Sequence, residues 1–475
     1  LLVGYKRWLG KWFRVLTRLD IFTHVYFWRF DMIRKYPRIE FLTFLIITIQ
    51  LVLFSACFDQ RDESSPNKNE GVELLQIRKD DTESKIKALE EEIIKLPYDY
   101  SSLTSLGEAY IQRARETGDA EYNNKAELVL KKAIELYQDN YLACVLLGRV
   151  SSYRHEFIET LNYAIKAINI KPEQSIAYGI LGDAYLELGE YDKAGKAYEF
   201  MQSLRPGFDS YSRISYIKEL AGDIEEAIQL MQEAIDDGEK RNLPKENIAW
   251  AHVIIGSLYF NKGDLNQAEK YYQEALNIST DYYLALEHIA EINARKGNYD
   301  EAVKLYKKVI SLNPKGEFYK ALADSLMKLG RQEEAEQFYD KTTEIYDDYV
   351  RKGNNGYLRQ IALFYADNDT DMDKALELAS KDLDIKPDIY AYDTLAWVYY
   401  KRGELDKALE AAQKSMVLGT KDSTLYYHIG MIHHKLKNRD KSKEYLTLAL
   451  STNPYFDTNA VEEIRLVLGE LDKSG

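Results

Sequence analysis

The sequence predicts an all-α solenoid of stacked helix-turn-helix units, and three observations carry that prediction. A pattern seen in Leu181-Gly182-Asp183-Ala184-Tyr185, then Ala194, Tyr198 and Pro206, returns about every 34 residues between residues 100 and 454. Inside each copy the small and large apolar residues are spaced by four and three, as in Ala194, Tyr198 and Met201 or Ala268, Tyr272 and Ala275, so each trio lines one face of a helix. Glycine and proline punctuate the copies at fixed offsets. A period of this length means supersecondary units that bury their apolar faces only against neighbours, an architecture that offers extended surfaces rather than a catalytic cleft.

Composition allows such an array. The chain has 475 residues, 45% hydrophobic and 29% charged, a globular balance with too little glycine and proline for long disorder. Its formal charge is −14, but residues 1–56 hold nine Lys/Arg against Asp20, Asp31 and Glu40, a surplus of six that leaves −20 on the rest. An acidic body argues against nucleic acid as a partner, because phosphate binding draws on Lys and Arg. The two cysteines, Cys57 and Cys144, exclude a disulfide framework or a zinc-cysteine cluster. Cys144 occupies a packing position of its unit and reads as a small buried hydrophobe.

In chain order, residues 1–31 are basic and aromatic, with Trp8, Trp12 and Trp28, and the chain starts with Leu. Met32 would begin a signal of ordinary length, so residues 1–31 read as an upstream extension or misplaced start; a basic segment lying on anionic lipid is the alternative. Residues 41–56 (FLTFLIITIQLVLFSA) are uncharged and apolar, follow Arg34, Lys35 and Arg38, and end in Ser55-Ala56-Cys57. The order charged, apolar, small is that of a signal peptide, here residues 32–56. Leu53-Phe54-Ser55-Ala56-Cys57 resembles the lipobox of bacterial lipoproteins, which implies diacylation of the Cys57 thiol and cleavage before it. Phe54 stands where that family usually has Leu, and Phe58, rather than Asp, implies outer-membrane sorting. The alternative is an uncleaved inner-membrane helix, although 16 apolar residues fall short of the roughly 20 that span a bilayer. Residues 57–71 are polar and read as a tether, and residues 72–97 as an amphipathic leading helix with Leu74, Leu75, Ile77, Ile86, Leu89, Ile93 and Ile94.

Ten units follow, starting near residues 100, 141, 175, 208, 249, 283, 316, 355, 389 and 423. In each, a Leu-Gly-x-x-Tyr block lies on a first helix and Ala-x-x-x-Tyr-x-x-Ala on a second. Small residues let the two helices cross closely, while Tyr or Leu fills the space beside them. Gly189, Gly222, Gly263, Gly297, Gly330 and Gly403 end first helices, and Pro172, Pro206, Pro314, Pro387 and Pro454 stop second ones. The fourth unit has Ser215 for the usual Gly, and the eighth and tenth lack the turn glycine. Breaks in phase near residues 235–248 and 343–354 divide the array into blocks 100–240, 249–347 and 355–454, and residues 455–475 read as a capping helix.

This pattern resembles the tetratricopeptide repeat family over about three quarters of the chain. The resemblance implies a right-handed superhelix that holds peptides or partner helices in a concave groove lined by first helices. By phase, groove positions fall on Tyr390, Asp393, Trp397, Tyr400 and Lys401, then Thr424, Tyr427, Met431, His434 and Lys435, with a weaker set at Trp250, Val253, Ser257, Phe260 and Asn261. Trp, Tyr and Met there would anchor a partner's side chains if they face solvent, whereas Trp397 one helical step away packs between units. The carboxylate clamp of chaperone-binding members is absent; Lys320 is paired with Asp324 in its own unit.

No catalytic or metal constellation is read. His155-Glu156 lacks the second His of a zinc helix, and adjacent His433 and His434 do not face one ligand. There is no phosphate-cradling loop, nucleophile elbow or CxxC pair. The expectation is therefore a non-enzymatic, cofactor-free adaptor or scaffold that binds protein or peptide ligands and is lipid-anchored in a bacterial envelope. The alternatives are an accessory subunit of an envelope assembly or secretion machine, and a docking regulator of an envelope hydrolase or protease.

Overall fold

A computed structural model describes residues 71–473 apart from 118 and 120. The chain divides into a unit ending at Ile77 and one running from Arg78. The expectations for residues 1–31, the signal at 32–56, the Cys57 lipid site and the tether to residue 70 lie outside the described residues. Among those described, no helix is long and apolar enough to cross a membrane.

Helices alone make up the array. A leading helix α1 (Gly71–Lys95) precedes ten pairs: α2–α3 (Tyr100–Thr117, Glu121–Leu136), α4–α5 (Tyr141–Tyr153, Phe157–Ile170), α6–α7 (Ser175–Glu187, Tyr191–Leu204) and α8–α9 (Phe208–Leu220, Ile224–Lys240). Then come α10–α11 (Lys245–Asn261, Leu265–Ile278), α12–α13 (Tyr283–Arg295, Tyr299–Leu312) and α14–α15 (Gly316–Lys328, Gln332–Arg351). The last pairs are α16–α17 (Leu358–Asp367, Met372–Ile385), α18–α19 (Ile389–Lys401, Leu405–Ser415) and α20–α21 (Ser423–Lys435, Arg439–Thr452), closed by α22 (Thr458–Lys473).

The pairing follows from side-chain size at the crossing. A Cβ built on Gly182 would stand 2.5 Å from Tyr198 Cδ1, one on Gly256 2.6 Å from Tyr272 Cδ1, and one on Gly430 2.6 Å from Leu446 Cδ2. The first helix therefore approaches until its bare backbone rests on the large residue of the second, and Ala194, Ala268 and Ala275 are wholly buried beside that contact. Cys144 packs in the same manner, fully buried among Val145, Ala164 and Ile180.

Where the turn glycine is missing, another residue takes the left-handed conformation: His155 in the second unit (φ 60°), Asp369 in the eighth (φ 51°) and Lys437 in the tenth (φ 60°). Such conformations cost non-glycine residues about 1 kcal/mol or more, so the turn is imposed by the packing of the two helices it joins. The phase breaks are lengthened helices: α9 and α10 have 17 residues each and α15 has 20, against 14 in α7 or α11.

The array coils back on itself after about six units. The Ile389 amide donates to Tyr191 Oη at 2.8 Å across 198 residues, Thr420 Oγ1 donates to the Leu220 carbonyl across 200, and Asn453 Nδ2 donates to the Phe260 carbonyl at 2.8 Å across 193. Leu220, Ile389 and Leu425 share a small apolar core at that seam, and Lys386 meets Glu187 at 3.0 Å. Thr420 and Asn453 are buried there, so their polar groups are satisfied across the seam rather than by water.

Candidate functional site

First helices line the concave face, and between the seventh unit and the terminal helix they enclose a cavity of about 630 Å³. Lys320, Asp324, Asp367, Lys401 and Lys435 point into it, together with the rims of Trp397, Tyr400 and Tyr427 and the Asp457, Asn459 and Glu463 face of α22. The charges alternate in sign, and several are already paired: Lys320 Nζ with Asp324 Oδ2 at 2.9 Å, Lys401 Nζ with Asp369 at 3.1 Å.

The structure corrects the expectation that the aromatic groove positions face solvent. Trp397, Tyr427 and Met431 are only 5%, 7% and 2% exposed and belong to one continuous apolar core with α22. Trp397 stacks on Tyr400 at 4.8 Å and on His428 at 4.1 Å, and its Nε1 donates to Asp367 Oδ1 at 2.8 Å. Tyr427 donates its hydroxyl to Glu463 of α22, with Phe456 6.0 Å from its ring. The physical reason is that α22 packs Ala460, Ile464 and Val467 into the core that holds them.

The other groove positions fare differently. Tyr390 lies at the superhelical seam beside Leu220 and Arg359. Tyr400 and His434 are half-buried, and Thr424 and Lys435 remain exposed. Trp250 is half-buried against Phe208 at 6.0 Å, and the Phe260 carbonyl receives the Asn453 amide. Trp250 and Phe260 are thus separate from the Trp397 cluster.

A buried ion pair underlies the aromatic stack. His428 Nδ1 is 2.9 Å from Asp393 Oδ2 with both side chains nearly inaccessible. Burial works against protonation of this imidazole, but the facing Asp393 carboxylate outweighs it and raises its pKa above the usual histidine value. Burial and the neighbouring Glu463 push Tyr400 up to about 12.

A second cavity, of about 310 Å³, opens beside the first between the sixth and seventh units. Glu287 and Glu291 of α12 line it, and His288, which does not, converges on both of them, a constellation not read from the sequence. Burial raises Glu287; burial also opposes ionisation of Glu291, but the hydrogen bond to His288 and the Arg295 guanidinium hold it below the carboxylate range. Residues 287 and 288 point about 100° apart on an ideal helix, and the length of the glutamate side chain is what lets them meet.

Tetratricopeptide repeat models match residues 176–206, 208–281, 255–317, 289–350, 389–420 and 423–456. The chain belongs to the tetratricopeptide repeat family. It is similar to the TPR repeat-containing protein MJ1428 of Methanocaldococcus jannaschii, 24% identical over 382 residues, which are 74% of this chain and 64% of that one. Protein O-mannosyl-transferase TMTC1 of Homo sapiens is 26% identical over 231 residues, 47% of this chain and 25% of that protein. Photosystem I assembly protein Ycf3 of Prochlorococcus marinus is 30% identical over 125 residues, 24% of this chain and 72% of Ycf3. The chain thus spans a quarter of TMTC1 and under two thirds of MJ1428. Solved tetratricopeptide-type structures include a chain of the APC/C hetero-tetramer Cut9-Hcn1 (12% identity, TM-score 0.35, 82% of this chain and 94% of that one) and yeast Tom70 (13%, 0.33, 79% and 96%). Membership of this repeat family supports a protein-protein interaction scaffold.

Proposed function

We propose that this protein is a non-enzymatic, membrane-anchored adaptor that captures a peptide segment of a partner in the concave channel between the seventh and tenth units. The observation that carries the reading is the 630 Å³ cavity among first helices, a size typical of ligand sites and lined by both charges. With Trp397 and Tyr427 taken up by α22, recognition falls to the groove residues that still face the cavity, Tyr400, Lys401, Thr424 and Lys435. Lys401→Glu with Lys435→Glu changes the channel's charge; because Lys401 Nζ lies 5.8 Å over the Trp397 ring, circular dichroism of the variant separates loss of binding from loss of fold. A photoreactive residue at position 424 should crosslink one partner from native membranes in the wild type and lose it in that double variant. An unchanged crosslink would refute capture in the channel.

Anchoring belongs to the same proposal. The lipobox-like Leu53-Phe54-Ser55-Ala56-Cys57 supports lipid attachment at Cys57 in a bacterial envelope, with the outer membrane favoured. One acyl chain binds only marginally, at about 0.8 kcal/mol per buried CH₂, so stable attachment takes the several chains a processed lipoprotein carries. Cys57→Ala should shift the protein to the soluble fraction or leave a slower-migrating precursor. Unaltered membrane attachment and mobility would remove the lipid anchor.

A further inference from the structure

Glu287, His288 and Glu291 converge on α12 with their donor atoms all within 4.8 Å of one another, and the two glutamates also line the cavity between the sixth and seventh units. His288 Nδ1 is 3.3 Å from Glu287 Oε2 and 3.6 Å from Glu291 Oε2. Charge-assisted hydrogen bonds between such groups settle at about 2.7–2.9 Å, so the cluster is held wider than its own ion pairing favours. A tetrahedral zinc ion with bonds of about 2.0–2.2 Å separates its ligand atoms by about 3.3–3.6 Å.

The surroundings hold these three donors in place. Arg295 Nη2 donates to Glu291 Oε1 at 3.0 Å, which leaves Oε2 for the cluster, and the Tyr272 ring stacks on the imidazole at 4.8 Å and 11°. Oriented donors of this kind are what metal ligands rely on. A fourth carboxylate, Glu317 of α14, lines the same cavity with its Oε2 buried and without a hydrogen-bond partner. Its Oε1 is 3.8 Å from Lys315 Nζ.

We propose that Glu287, His288 and Glu291 form a three-ligand divalent-cation site of the zinc type on α12. The cation then holds three side chains of one first helix in a fixed arrangement, two of them on the cavity wall. This inference does not depend on capture of a partner in the wider cavity, since the ligands come from this chain alone.

The test is titration of the full-length protein with Zn²⁺ near neutral pH, by calorimetry and by equilibrium dialysis against a competing chelator. The expected result is one ion per chain, with an X-ray absorption edge showing nitrogen and oxygen but no sulfur in the coordination sphere, which separates the site from Cys57 and Cys144. His288→Ala, Glu287→Gln and Glu291→Gln should each weaken binding beyond the about 10- to 100-fold typical of changes to supporting residues. Glu91→Gln with Glu92→Gln, on exposed parts of α1, should leave the affinity unchanged. Because His288→Ala removes a stacked ring, the less disruptive His288→Asn and circular dichroism of each variant separate loss of a ligand from loss of fold. No stoichiometric uptake, or uptake equal in the wild type and the folded variants, would make the cluster an imidazolium ion pair only and overturn the proposal.

Discussion

Leu220→Ala tests whether the array is closed on itself. In an open solenoid each unit touches only its neighbours, so damage in the fourth unit should spread to the third and fifth and stop. Here Leu220, 3% exposed, packs against Ile389 and Leu425, each 1% exposed, although they belong to the ninth and tenth units. Truncating a buried Leu to Ala costs about 2–5 kcal/mol. Taking about 2 kcal/mol, and a tenfold change in an equilibrium per 1.4 kcal/mol, local opening at the seam should become about 30-fold more frequent. Peptide-resolved hydrogen exchange reads this directly: Ile389–Lys401 and Ser423–Lys435 should lose protection together with Phe208–Leu220. Leu147→Ala, at a buried site of the second unit away from the seam, supplies the control. If Leu220→Ala raised exchange only from the third to the fifth unit, the seam would carry no energy and the closed turn would be refuted.

Three further outcomes rest on two side-chain contacts and on the terminal helix. Gly182→Ala should destabilise by about 1–3 kcal/mol in urea unfolding because its new methyl meets the Tyr198 ring, whereas Gly469→Ala, with nothing within 4 Å, should stabilise by about 0.4–1 kcal/mol; equal signs would refute the packing argument. His428 has a folded pKa above its unfolded value of about 6.5, so its pairing with Asp393 contributes stability fully present below that value and lost as pH rises through the folded one. The stability gap between wild type and His428→Gln should therefore narrow from pH near 6 to pH near 9, and a constant gap would show that the pair carries no charge. Removal of residues 457–475 should uncover Trp397, Tyr427 and Met431 and raise binding of an apolar dye, with tryptophan emission moving to the red; unchanged emission would mean that α22 does not shield them.

The helix pairs were legible because their causes are local. Period, turn glycines and the small-large alternation of Gly182 with Tyr198 are all written within one unit of about 34 residues. The seam was not legible, since nothing near Leu220 in sequence marks a partner 200 residues away; superhelical pitch accumulates from small rotations at every junction and from the lengthened α9, α10 and α15. Phase reasoning also picked out residues of the last two units, several of which line the larger cavity, but phase assigns a face and leaves open what covers that face. Residues 455–475 were read as a capping helix, and the packing of its Ala460, Ile464 and Val467 in one core with Trp397 and Tyr427 appears only in three dimensions. The Glu287, His288 and Glu291 cluster escaped for a different reason: rules for helical neighbours describe Cβ directions, and a glutamate reaches three bonds further.

The occupied end of the channel bears on what kind of partner the rest can take. Because α22 fills the apolar lining with residues of this chain, affinity there would require displacing Ala460 and Ile464 from a core in which they are nearly inaccessible. A partner of ordinary affinity is better accommodated beside α22, where the cavity wall alternates Asp324, Asp367 and Glu463 with Lys401 and Lys435. Paired charges in a half-buried wall contribute little net energy but discriminate strongly, since a misplaced like charge there is left without solvent. The channel's chemistry therefore favours a polar segment with both signs of charge over a greasy helix, and the aromatic residues that first draw attention in the sequence hold the wall in shape.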